Sequence, residues 1–250
     1  KWRLDEDYIP ENANKKYGGE LTLVDGLAQS KNTISAYLMK RVGPRKVIKL
    51  ARKMGITSYL PAVPSLCLGT AEISLFEMTG AYSTFANSGI YMEPYFVSRI
   101  EDKNGVVIET FTNSPKEILS EDKNIVMVKL LQGVINRGSG SRLRWKYKMN
   151  NEIAGKTGTT QNHSDGWFIG FVPNLVTGVW TGADNRAVRF RDLKLGQGAQ
   201  MALPIWGEYM NSLYSDSLIE LNKARFEIPK NSNNITLDCS DKTQIENEEF

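Results

Sequence analysis

Residues 153–173, IAGKTGTTQNHSDGWFIGFVP, contain a Gly155-Lys156-Thr157 triplet that two unrelated chemistries use. A phosphate-binding loop needs a glycine five positions ahead of the Gly-Lys pair so that its backbone can curl around the anion, and that position is Asn150. It must also leave a strand and enter a helix whose N-terminus faces the phosphate. Here TTQNHSDG reads as a turn leading into a second strand, GWFIGFVP. Both requirements of nucleotide binding fail. The other chemistry is serine acyl transfer, in which a Lys-Thr-Gly strand works beside a Ser-x-Asn triplet and a Ser-x-x-Lys nucleophile. The residue types suit acyl transfer. Lys156 supplies positive charge, the hydroxyls of Thr157 and Thr159 can hydrogen-bond a carboxylate, and Gly158 lets a substrate backbone approach the strand. An isolated triplet would read as an edge strand with a solvated lysine. This one is preceded by Ser30-Lys31-Asn32, a Ser-x-Asn triplet in the order such sites use.

The elements that must position these residues can be read from periodicity. LTLVDGLAQS predicts a helix, and PRKVIKLARKMG predicts a second one with Val47, Ile48, Ala51 and Met54 on one face and a stop at Gly55. AEISLFEMTGAYSTFANSG repeats the pattern with Ile73, Phe76, Tyr82 and Phe85. Asn104-Gly105 marks a hairpin between strand-like runs. Ser120 reads as the N-cap of a helix with acids in its first turn and Ile125, Val128, Leu131 and Ile135 on its core face, stopping at RGSG, residues 137–140. Three strand-like runs follow, around EIAGKTGTT, GWFIGFVP and LVTGVWTGA, with turns at QNHSD and Pro173-Asn174, which makes an antiparallel meander the economical arrangement. ALPIWGEYMNSLY supplies a last helix, and residues 215–250 read as a polar, poorly packed tail. Helices on one side of an antiparallel sheet define an α+β chain.

Composition bounds the function. The chain has 250 residues, enough to bury roughly 70–75% of its unfolded surface, and its 41% hydrophobic and 24% charged content is that of a globular domain. The net charge of +3 is too small and too interspersed to imply nucleic acid, and the basic, aromatic RWKYK stretch at 144–148 reads as a solvated loop or strand edge. Cys67 and Cys239 form neither a disulfide framework nor a zinc spacing, and Cys67 reads as a small buried hydrophobe. His163, the single histidine, excludes His-based metal clusters and reads as a surface turn residue; Asp165 and Trp167 read as fixing that turn. No metal and no cofactor are expected. No apolar run approaches the ~20 residues of a membrane span. The start, KWRLDEDYIPEN, lacks an initiator Met and reads as mid-domain sequence.

From about Trp2 to Met210 the chain resembles the transpeptidase domain of class A penicillin-binding proteins. The resemblance is carried in order by Pro10, Glu11, Asn12 and Asn14, then YGGELTLVDGLAQSKNT, LGTAEISLFEMTGAYSTFANSG, VINRGSG where the family usually has Gly-Thr-Gly, AGKTGTT, DGWFIGFVP, GVWTGAD and ALPIW. It implies an α+β fold of the β-lactamase/transpeptidase type, an antiparallel sheet flanked by a helical subdomain, with residues 1–214 as the C-terminal part of the domain. It implies peptidoglycan cross-linking through a serine acyl-enzyme, with stem peptides as substrates and β-lactam antibiotics as inhibitors. By matching position, Ser30 would relay a proton and Asn32 would hold the substrate amide. Lys156 would set the field around Ser30, Thr157 and Thr159 would bind the terminal carboxylate across Gly158, and the Thr159 N–H would donate into an oxyanion hole.

The serious departure from the family is the missing nucleophile. Residues 1–29 contain no serine, and the single Ser-x-x-Lys, Ser120-Glu121-Asp122-Lys123, follows the Ser-x-Asn triplet and fits helix capping better. The expectation is therefore a fragment whose nucleophile lies in an upstream segment of the same protein. That parent would carry a glycosyltransferase domain and a membrane anchor outside this chain, on the extracytoplasmic face of the cytoplasmic membrane. Three functions stay open: a transpeptidase, a non-catalytic penicillin-recognising sensor or scaffold, and a serine β-lactamase of related fold.

Overall fold

The computed structural model describes residues 9–17, 19–219, 221, 224–229 and 237. Its centre is the expected meander: β5 (Ala154–Thr159), β6 (Asp165–Val172) and β7 (Leu175–Gly182) pair antiparallel in the order β5-β6-β7. Register sets Lys156 opposite Ile169 and Thr157 opposite Phe168. β6 is the middle strand and is buried on both faces, so it reads as nearly continuous apolar sequence. Alternate residues still separate: Phe168 and Val172 join Trp206 in one core, while Phe171 joins Ile125, Val128 and Leu131 in another. Phe168 meets Trp206 edge to face at 5.4 Å. Gly170 makes that approach possible, because a Cβ there would lie 2.7 Å from the Trp206 ring.

The helices around this sheet are α1 (Leu23–Ala28), α2 (Asn32–Val42), α3 (Pro44–Lys53), α4 (Leu75–Ala86), α5 (Glu121–Arg137), α6 (Arg142–Trp145), α7 (Leu193–Gly196) and α8 (Gly198–Ser215). The 17-residue α5 packs on β5, α4 packs on β7, and α8 lies against β6. Ile125, Val128, Leu131 and Ile135 of α5 are buried as their spacing requires. Ser120 adopts the extended N-cap backbone, but its side chain makes no capping hydrogen bond; Glu121 and Asp122 in the first turn supply the negative charge that this end favours. Short pairs complete the chain: β1 (Ile90–Tyr91) with β4 (Lys116–Glu117), and β2 (Arg99–Glu101) with β3 (Val107–Thr110). The second pair is the Asn104-Gly105 hairpin, where Gly105 has φ 83° and the Asp102 carboxylate accepts from the N–H groups of Asn104 and Val106.

Three packing expectations need correction. Phe76 is not on a buried face: it lies in the first turn of α4, ahead of the buried Gly80, Ala81 and Thr84, and stacks on Phe96 at 5.2 Å. The 215–250 segment is not uniformly unpacked, because Phe226 is buried, meets the Phe171 ring at 5.6 Å, and donates its N–H to Glu152 at 2.7 Å. RWKYK is solvated only at Trp145, Lys146 and Lys148. Arg144 donates to the carbonyls of Met149 and Asn151, and Tyr147 is buried in the Trp206 core.

The start of α4 is held by one carboxylate. Glu77 closes a capping box with Ser74 and also accepts from the N–H and hydroxyl groups of both Thr57 and Ser58. Burial pushes its carboxyl up, but the hydrogen bonds from Ser58, Thr57 and Ser74 outweigh it and hold the group well below the usual carboxylate range. A depressed carboxyl contributes stability that is complete above about pH 5 and is lost progressively as pH falls toward the folded-state value. Glu77→Ala is expected to cost about 1–3 kcal/mol at neutral pH, since several donors lose one acceptor. The difference from wild type should shrink in acid. Urea titrations at pH 7 and pH 3 check this, and an equal difference at both pH values would count against it.

Candidate active site

Strand β5 carries Lys156, Thr157, Gly158 and Thr159, and among the described residues it is an edge of its sheet. The Ser-x-Asn triplet reaches it through a tight connection. α1 ends at Ala28, Ser30 turns the chain with φ 53°, and α2 starts at Asn32. A positive φ is uncommon for serine and here aims its side chain out of the turn between two helices. Lys156 Nζ donates to Ser30 Oγ at 2.7 Å and to the Thr157 carbonyl at 2.9 Å. The structure thus brings together two residues 126 positions apart that the sequence pairs by motif. Burial lowers the Lys156 amine to about 8. An ammonium held that close to neutrality, on a serine hydroxyl, can exchange a proton within the pH range of ordinary enzyme chemistry.

The threonines are tied to two other loops. Thr157, 8% exposed, has its Oγ1 2.6 Å from Ser139 Oγ. Ser139 follows α5 in the RGSG stretch and donates its N–H to the Ala28 carbonyl at 3.0 Å. Thr159, two residues further on the same face of β5, is exposed, and its Oγ1 accepts from the Gly198 N–H at the start of α8 at 3.0 Å. Gly158 also serves close packing between β5 and β6, since a Cβ there would lie 3.0 Å from Trp167 Cβ.

Asn32 is not free to await a ligand with its amide nitrogen, which donates to the Glu11 carbonyl at 2.8 Å. The neighbouring Asn12 is buried and accepts from both the N–H and the hydroxyl of Thr33. The Pro10–Asn14 stretch therefore clamps the start of α2. His163 is not a surface residue: it is half-buried with φ 60°, lies beside Gly196 of α7, and its buried Nδ1 has no partner among the described residues. Asp165 does fix the turn, donating its N–H to Thr160 Oγ1 at 3.1 Å. Cys67 is half-buried with its thiol on the Pro64 carbonyl at 3.3 Å, and burial raises that thiol. Trp2 and Cys239 lie outside the described residues. Among those residues no group of three or more His, Cys, Asp or Glu could hold a metal.

Ser139 and Gly198 are the site residues that motif reading misses. The Gly138-Ser139-Gly140 pattern after a helix is the available signal.

A helix-flanked antiparallel sheet whose edge strand presents Lys-Thr-Gly to a Ser-x-Asn turn is the architecture of a penicillin-binding transpeptidase domain. The chain belongs to the transpeptidase family of the class A penicillin-binding proteins: residues 2–185 match the family described as "Penicillin binding protein transpeptidase domain". It is 38% identical over 205 residues to penicillin-binding protein 1A of Aquifex aeolicus, covering 82% of this chain and 27% of that protein. It is 34% identical over 245 residues to penicillin-binding protein 2D of Bacillus subtilis, covering 93% of this chain and 33% of that protein. The chain therefore spans about a quarter to a third of the length of these relatives. Among solved structures it superposes on penicillin-binding protein 1A of Haemophilus influenzae with a TM-score of 0.77 at 25% identity, over 88% of this chain and 38% of that one. The Mycobacterium tuberculosis PonA1 protein, solved in complex with penicillin V, gives 0.67 at 24% identity over 88% of this chain and 63% of that one, and shows the same fold. The expected α+β, β-lactamase/transpeptidase-like fold is thus the observed one.

Proposed function

We propose that this chain is the part of a peptidoglycan DD-transpeptidase that binds the stem peptide and returns protons during serine acyl transfer. The observation that carries the reading is the 2.7 Å hydrogen bond from Lys156 Nζ to Ser30 Oγ. The nucleophilic serine gives its proton to the lysine of its own Ser-x-x-Lys segment and attacks the penultimate D-alanine carbonyl; the amide C–N bond breaks, and the departing D-alanine amine takes a proton from Ser30, whose hydroxyl is replenished by the Lys156 ammonium. An acceptor amine from a neighbouring strand then attacks the ester, its surplus proton returns through Ser30 to Lys156, and the released serine takes its proton back from its own lysine. Asn32 holds the substrate amide through its side-chain oxygen, its nitrogen being engaged by Glu11. Thr157 and Thr159 bind the terminal carboxylate across Gly158, and the Thr159 N–H donates to the oxyanion.

The nucleophile in this reading belongs to a Ser-x-x-Lys segment outside these 250 residues. Ser120 cannot serve, because it sits at the far end of the 17-residue α5 from Ser139, about 25 Å away at 1.5 Å per residue. Carboxypeptidase activity, a parent glycosyltransferase and an extracytoplasmic, membrane-anchored location accompany the reading through the family. Intact-mass analysis of the full-length protein after incubation with benzylpenicillin tests it: the expected result is a gain of one drug mass, retained over hours. No gain would leave a fold that recognises nothing covalently, as in a scaffold, and rapid loss of the adduct would indicate a β-lactamase.

A further inference from the structure

The geometry points to Ser139 as a positioning residue that aims the Thr157 hydroxyl at the substrate carboxylate, an inference that rests on the transpeptidase reading. A hydroxyl has a single hydrogen to donate. If Thr157 spends it on a neighbour, it has nothing to offer an anion. Ser139 Oγ lies 2.6 Å from Thr157 Oγ1, close enough for a strong hydrogen bond in either direction. When a carboxylate arrives, a charge-assisted bond outcompetes a neutral one, so the Thr157 hydrogen turns to the anion and Ser139 donates into the Thr157 oxygen from behind. Thr159 shows the same arrangement with a fixed donor, since its Oγ1 accepts from the Gly198 N–H at 3.0 Å and its own hydrogen is left for the ligand. Ser139 thus does for Thr157 what a backbone N–H does for Thr159.

Ser139 is also held in place by its own backbone, whose N–H is anchored on the Ala28 carbonyl at 3.0 Å. Its hydroxyl is therefore free of structural duty toward that loop. Loss of the hydroxyl should leave the loop standing and remove only the donor behind Thr157.

The test compares acylation of the full-length protein by benzylpenicillin, which carries a free carboxylate, and by its methyl ester, in wild type, Ser139→Ala and Ser139→Thr. Ser139→Ala is expected to slow acylation by the free acid ~10-fold, chiefly through weaker binding, and to leave the ester rate unchanged. Ser139→Thr keeps the hydroxyl and should restore the wild-type preference. Equal slowing of acid and ester would mean a purely structural role and overturn the inference, as would an unchanged acid rate. If wild type itself forms no adduct with either compound, the transpeptidase reading fails instead.

Discussion

Lys156→Ala in the full-length protein is expected to slow acylation by penicillin about 10³-fold while leaving the fold intact, with a melting temperature unchanged or higher. The loss in rate follows from the position of the amine, which is the donor on Ser30 Oγ, the hydroxyl that must pass a proton. The stability follows from the burial of that amine. Its lowered value, about 8 against an ordinary 10.5, means that the fold disfavours the ammonium. Below about pH 8 the lysine is charged in both folded and unfolded chains, and the burial cost is fully felt. Between about 8 and 10.5 the unfolded chain holds more protons than the folded one, so wild-type stability should rise with pH across that window. Lys156→Ala should lack that rise. Parallel measurement of acylation rate and of thermal unfolding from pH 7 to pH 10 separates the two effects. A near-normal acylation rate would remove Lys156 from the site, and a collapse of the fold would mean that the lysine serves the core.

The site is half legible in the sequence, for reasons that differ from residue to residue. Lys156, Thr157, Gly158 and Thr159 can be placed on a strand because β6 beside them is apolar on both faces and the turns at QNHSD and Pro173-Asn174 allow little but a meander. Ser30 can be paired with Lys156 because motif order carries tertiary information that periodicity does not. Ser139 cannot be placed in this way. Its role depends on a hydroxyl contact between a loop after α5 and the face of β5, 18 positions apart, and the Gly138-Ser139-Gly140 pattern marks the loop without announcing that contact. Motif order assigns Asn32 to substrate, yet its nitrogen bonds a backbone carbonyl 21 residues earlier, a partner that any polar side chain near a helix start can find. His163 escapes for a similar reason. A turn of polar residues reads as exposed, but Gly196 of α7 packs against this one and Phe190 bonds its backbone, which leaves His163 half-buried. Phe76 and Phe226 show the converse limit, since apolar type sets what a residue would gain by burial and not whether a partner surface lies opposite.

Gly138→Ala is expected to slow acylation about 100-fold without unfolding the protein, and the reason lies in distance and not in backbone freedom. Gly138 has φ −112° and ψ −153°, an extended conformation open to any residue. Its constraint is spatial: a Cβ would lie 2.1 Å from the Ala28 carbonyl oxygen and 2.9 Å from the Ala28 Cα, both backbone atoms that cannot swing aside. Relief requires the end of α1 and the loop after α5 to part by roughly 1 Å, and a misplacement of that size at a reacting group costs ~10² in rate. Ser30 follows Ala28 by two residues, so the displacement is carried directly into the 2.7 Å bond to Lys156. The parting would also lengthen the Ser139 N–H bond to Ala28 and draw Ser139 away from Thr157, touching both halves of the site at once. The fold should survive because the clash falls on the Ala28 backbone at the end of α1 and not on the fully buried Val134 and Ile135 of α5. Acylation rate and thermal unfolding of the same preparation decide the matter. Normal acylation would show that the spacing between the Ser30 turn and the Lys156 strand is set elsewhere, while joint loss of rate and of cooperative unfolding would make Gly138 a folding residue first.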